Sequence, residues 1–122
     1  MISQEQDHPI VVSKVRYLGS CLLPSPIELE ATISLYHNRM HIPELDATIP
    51  IATISTVEVV EGKDLSSQTV LMFGVVGAII EKNKPYVIIE IGMSSDSLLF
   101  KFEDMRIAVK LVEEINAAKY SQ

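Results

Sequence analysis

The chain is short of several things at once. It has a single cysteine, Cys21, in 122 residues. No disulfide can close within it and no zinc site can be built on cysteine, a usage that suits a reducing compartment. Basic residues are in deficit, with 10 Lys and Arg against 16 Asp and Glu, a formal net charge of -6. That balance repels phosphate backbones, so nucleic acid is not an expected partner. It also opposes broad docking on anionic lipid. Long apolar runs are missing too. The longest uncharged apolar stretch, Val70 to Ile80, falls well short of the roughly 20 residues of a spanning helix. Met1 to His8 shows no basic region followed by an apolar run, so no signal peptide is read there, and a cytoplasmic location is expected.

Catalytic motifs are equally scarce. No serine, threonine or cysteine sits in a glycine-flanked nucleophile elbow. Gly74 and Gly77 are not followed by the Lys-Ser or Lys-Thr of a phosphate loop. Glu28 and Glu30 share a strand face and read as a solvated face rather than an acid–base pair. His37 and His41 bracket a turn expected at Asn38 and Arg39, which would pair His41 with Tyr36 and send the two imidazoles to opposite faces. A metal site needs three or four ligands. No catalytic residue, no metal site and no cofactor is expected.

What the chain does have is apolar residues in regular patterns. They make up 48% of it, with 21% charged, enough for one domain and too little length for two. Residues 1–9 read as a flexible tail and 10–120 as a single domain. Ile10 to Ser20 is β-branched and strand-like. From Glu28 to Tyr36 the alternation is strict: Leu29, Ala31, Ile33 and Leu35 fall on a core face, and Glu28, Glu30, Thr32, Ser34 and Tyr36 on a wet one. Met40 to Ile42 returns as a short strand stopped by Pro43. Thr48 to Val60 reads as one further strand, with Ile54, Val57 and Val59 as core positions. Thr69 to Phe73, Tyr86 to Ile91 and Leu98 to Phe102 bring the count to about seven. The period then changes. Asp104 can cap a helix running to Lys119, with Ala108, Leu111, Val112, Ile115 and Ala118 as its apolar stripe.

Several short strands followed by one amphipathic helix suggest a pleckstrin-homology-like superfold, and particular residues add to it. The run Ile49-Pro50-Ile51-Ala52-Thr53-Ile54-Ser55-Thr56-Val57-Glu58-Val59 resembles a strand of bacterial and archaeal PH-like and GRAM-like domains. Phe73 to Ile80, then Lys82 and Lys84, resembles a glycine-containing apolar insert that some of them carry. Leu98 to Asp104 is similar to their last strand and helix entry. Val15-Arg16-Tyr17-Leu18-Gly19-Ser20 looks like the first strand of phosphotyrosine-binding domains. The resemblance covers about residues 10–119. It implies a mainly β fold of about seven antiparallel strands in a partly open barrel, two sheets packed together, capped by helix 104–119. It also implies a binding module for proteins, peptides or lipids. The loop Cys21 to Pro26 departs from phosphoinositide-binding relatives, since it holds no Lys or Arg.

The expected function is therefore a non-catalytic interaction module, protein-binding and able to self-associate. The alternative is peripheral association with the inner face of a membrane through the insert. An enzyme or small-molecule binder is a third reading. Candidate partner or membrane contacts are Phe73, Val75, Val76, Ile79, Ile80, Lys82 and Lys84. Lys14, Arg16 and Arg39 form a candidate basic patch.

Overall fold

Alternation of buried and wet residues builds the strands, and the computed structural model describes residues 8–20, 28–65, 80–92 and 96–122. Val11–Gly19 (β1) turns Val15 and Tyr17 inward and Lys14 and Arg16 outward. Leu29–Leu35 (β2) buries Ala31, Ile33 and Leu35, as the strict alternation predicts. Arg39–Ile42 (β3) and Ala47–Pro50 (β4) complete a meander. Ile54–Glu61 (β5), Pro85–Ile91 (β6) and Asp96–Lys101 (β7) form the other half. All pairings are antiparallel. The order is β4-β3-β2-β1-β7-β6-β5, so β1 is the seam of one continuous sheet that stays open between β4 and β5.

The expected single strand Thr48 to Val60 is two strands. A 3₁₀ turn at Ile51–Thr53 separates them and sends β4 and β5 to opposite edges of the sheet. Pro50, with no N–H to give, suits the end of an edge strand. Two of the expected core positions, Ile54 and Val57, are buried, and Val59 packs partly buried against the core. Their mixed parity has a cause: a bulge between Ile54 and Thr56 inserts one residue and switches the face. At the β2–β3 hairpin the Tyr36 N–H donates to the Arg39 carbonyl at 2.7 Å. The turn residues are thus His37 and Asn38, and His41 faces Ser34 rather than Tyr36. The expected strand Thr69 to Phe73 lies outside the described residues, as does residues 1–7 of the expected tail.

The helix Met105–Tyr120 (α1) starts where Asp104 accepts from the Arg106 N–H at 2.8 Å, satisfying one orphan donor of the first turn. Ala108, Leu111, Ile115 and Ala118 are buried and Val112 packs beside them, as the stripe predicts. The far end of α1 lies over the open corner. Lys119 Nζ donates to the Ser55 carbonyl (2.7 Å) and Gln122 Nε2 to that of His37 (3.0 Å). Leu18, Tyr86 and Leu99 form a second, smaller cluster, with Val60, Leu65, Ile80 and Ile88 against it.

Candidate functional site

The outer face of β1 carries a charge network. Arg16 and Lys101 are register partners on neighbouring strands, two like charges side by side. Glu28 lies between them, 3.5 Å from Arg16 Nε and 3.4 Å from Lys101 Nζ. Lys101 Nζ also donates to Glu81 Oε2 at 2.8 Å. The Lys101 side chain is only 10% exposed. Its burial alone would depress the ammonium, but the hydrogen bond to Glu81 and the charges of Glu28 and Glu81 hold it above its ordinary 10.5. The hydrogen bond and charge of Lys101 hold the Glu81 carboxyl below its ordinary 4.5. Stability from the raised Lys101 is full below 10.5 and is lost as pH rises through the folded value. Stability from the lowered Glu81 is full above 4.5 and is lost as pH falls through the folded value. Glu81→Gln should therefore lower the melting temperature at neutral pH. Its difference from the parent should narrow as pH falls below 4.5 and through the lowered folded value of Glu81; a difference that does not change with pH would leave Glu81 no electrostatic role.

The apolar insert meets the rest of the fold at this network. Ile80 packs against the second cluster, the Glu81 N–H donates to the Tyr86 hydroxyl at 2.9 Å, and Lys84 Nζ pairs with Glu103 at 3.0 Å. Lys82 is exposed. The other insert candidates, Phe73, Val75, Val76 and Ile79, lie outside the described residues. Of the basic patch, Lys14 and Arg16 line one hollow of about 160 Å³ together with Lys101, Glu30 and Glu103. Arg39 is not among its lining residues; it lies over the Tyr36 ring, 4.0 Å from the centroid. Among the described residues, no three of His, Cys, Asp and Glu gather as metal ligands would. His41 Nδ1 instead meets Thr48 Oγ1 at 3.0 Å.

Glu44 does unexpected work on β2. The Thr32 N–H donates to its Oε1 (2.8 Å) and the Thr32 hydroxyl to its Oε2 (3.0 Å). The carboxylate takes the place of a β3 residue where that strand has ended. Burial alone would raise the Glu44 carboxyl; the backbone and hydroxyl bonds from Thr32, a bond from its own N–H and the charge of His41 together hold it low.

The Glu44 contact also fixes which way the β1 amides point from Val12 to Arg16, ahead of the irregularity between Tyr17 and Gly19. Backbone groups alternate sides along a strand. If the Thr32 N–H faces β3, then Ala31, Ile33 and Leu35 face β1, where Val15 and Ser13 bond back to β2 and the Leu35 carbonyl accepts from the Ile10 N–H at 2.6 Å. Val12, Lys14 and Arg16 point the other way. Arg16 meets β7 there, opposite Lys101. Beyond that point β7 ends: the Phe102 N–H still extends the ladder to β6, donating to the Pro85 carbonyl at 2.9 Å, but the pairing with β1 stops at Lys101 and the chain turns into α1. Val12 and Lys14 are left facing a wedge. Neither backbone group finds a hydrogen-bond partner among the described residues.

The wedge is a groove of about 830 Å³ between residues 10–14 and 103–110. Its apolar residues are unusually open: Ile10 is 47%, Val12 57% and Ile107 47% exposed. Lys14, Arg106 and Lys110 supply cations, and Glu103 and Asp104 carboxylates. Both carboxylates are already engaged, by Lys84 and Arg106. Sequence reasoning missed this groove, apart from Lys14. The signal was present: Val12 breaks the alternation of Lys14 and Arg16, and Ile107 is an apolar residue off the helical stripe.

No protein-family model matches the chain, and no curated protein matches it in sequence. A solved structure does, titled "Vav1 inhibited by an allosteric inhibitor: Vav1 inhibitors block GEF activity". The match has a TM-score of 0.58 at 9% identity and covers 97% of this chain and 29% of that one. The chain thus spans less than a third of that protein's length. A likeness at this identity concerns the fold, and an open sheet of seven antiparallel strands with a C-terminal helix fits a PH-like one. Among the described residues no helix is long and apolar enough to cross a membrane.

Proposed function

We propose that the chain is a non-catalytic interaction module, that its partner is a protein, and that its contact surface is the wedge between β1 and α1. One observation supports this most: Val12 and Lys14 present backbone groups that no described strand pairs, beside an apolar rim, where folded proteins ordinarily pair, cover or blunt a strand edge. A cytoplasmic setting suits the single cysteine. The membrane alternative would use Phe73 to Lys84. Of its described members, Ile80 packs inward and Lys84 is engaged by Glu103, so no observation favours it over the wedge.

A photoreactive benzoylphenylalanine at Val12, compared with one at the exposed Lys63, tests the reading in cells that make the protein. Light should yield a discrete protein adduct from Val12 and none from Lys63. Equal labelling from both positions would sink the wedge as a contact surface. An adduct of twice the chain's mass would make the partner a second copy.

A further inference from the structure

Resting on that reading, we infer that the wedge takes an extended peptide of alternating apolar and acidic residues, added as a strand to the free edge of β1 beside α1. Three features of the wedge select this occupant. The first is backbone. Val12 and Lys14 lie two residues apart on one strand, each offering an N–H and a carbonyl on the same side, and only an extended chain places complementary groups at that repeat. The second is apolar. Ile10, Val12 and Ile107 leave aliphatic surface open on both flanks, and alternate side chains of an added strand point to opposite faces.

The third is charge. In a chain of net charge -6, the wedge is lined by three cations, Lys14, Arg106 and Lys110, against two carboxylates, Glu103 and Asp104, so its local charge has the opposite sign. Lys14 makes no ion pair among the described residues. Lys110 has only a 3.5 Å contact with Glu114. The Arg106 side chain is 90% exposed although it reaches Asp104. The first turn of α1, whose axis carries partial positive charge at this end, adds to the same sign. A second copy of the chain would bring Lys14, Arg106 and Lys110 against themselves, which argues against self-pairing at this edge. A basic peptide is disfavoured for the same reason.

The test uses the full chain and three synthetic peptides of about eight residues, a usual strand length: alternating Val and Glu, alternating Val and Lys, and the Val–Glu peptide N-methylated at every second residue on the edge that would face β1. Fluorescence anisotropy gives affinity, and amide spectra locate the contact. The Val–Glu peptide should shift the Val12 and Lys14 amides and slow their hydrogen exchange. The Val–Lys and N-methylated peptides should each bind about tenfold more weakly or worse. Lys14→Glu should weaken the Val–Glu peptide by a similar factor and leave the amide spectrum outside the wedge unchanged.

Equal binding of all three peptides at the wedge would overturn strand addition and leave the wedge standing as a protein contact. No response of the Val12 and Lys14 amides at about 1 mM Val–Glu peptide, a concentration well above weak peptide affinities, would also overturn it. The adducts from Val12 would then decide separately whether the wedge binds anything. Pairing of the chain with itself, seen as a dimer by sedimentation that Lys14→Glu strengthens, would overturn the choice of occupant.

Discussion

Phe100→Ala should lower the unfolding free energy by about 3–5 kcal/mol, read from chemical denaturation at neutral pH. Phe100 lies on β7 with Tyr17 of β1 on one side and Val87 of β6 on the other, and its side chain is fully buried. Its ring centre is 5.5 Å from that of Tyr17, the planes tilted by 48°. An aromatic pair of this kind adds about 0.5–1.5 kcal/mol beyond area burial. The ring also fills the core at the seam, where collapse would require β1 and β7 to move together. A whole domain is held by about 5–15 kcal/mol, so the variant should be close to unfolding at physiological temperature. A loss below about 1 kcal/mol would mean that the surrounding side chains relax into the space.

Gly62→Ala should cost about 3 kcal/mol, at the upper end of overpacking effects, for a reason of backbone crowding. A Cβ at this position would overlap the Glu81 carbonyl oxygen and stand 3.0 Å from the Tyr86 ring. Neither neighbour is free to retreat. The Gly62 N–H donates to the Lys84 carbonyl (2.8 Å) and that of Lys63 to the Lys82 carbonyl (3.1 Å). The Glu81 N–H is held by Tyr86, and the Glu81 side chain by Lys101. Moving Glu81 aside breaks several of these at once. Denaturant midpoints of Gly62→Ala and the parent decide the matter, and near-equal values would show the 81–84 turn to be more compliant than its bonds indicate.

Much of the fold was legible because period is a local property. The strict alternation of β2, the run of β7 and the helical stripe from Ala108 to Ala118 each announce themselves within a dozen residues. The break at Ile51–Thr53 was not legible, because β-branched residues recur on both sides of it, from Ile49 to Val59; only the pairing of β4 with β3 and of β5 with β6 shows that the run serves two edges. The His37–Asn38 turn was misplaced by one residue because Asn38 suggested a left-handed position. Among the described non-glycine residues only Asp46 adopts one, at φ 50°.

The site was harder to read for another reason. The wedge joins Val12 to Ile107 across most of the chain, and each alone looks like an ordinary exposed aliphatic. The insert and the Lys14–Arg16 part of the basic patch are legible because their residues are neighbours in sequence. Of the patch, Arg16 is drawn to Glu28 and only Lys14 lines the wedge.

The position of β1 as seam bears on how the chain acquires its structure. Strands β1 to β4 form a meander from near neighbours, while β1 meets β7 only across 85 positions of chain, from Arg16 to Lys101. Distant pairings carry a larger loop-closure cost and form slowly. During synthesis the first meander can assemble while the second is still inside the ribosome. For that interval the whole β7-facing edge of β1 is open, including the stretch near Arg16 that β7 later covers. The wedge at Val12 and Lys14 is the part of that early edge which no other described strand goes on to cover.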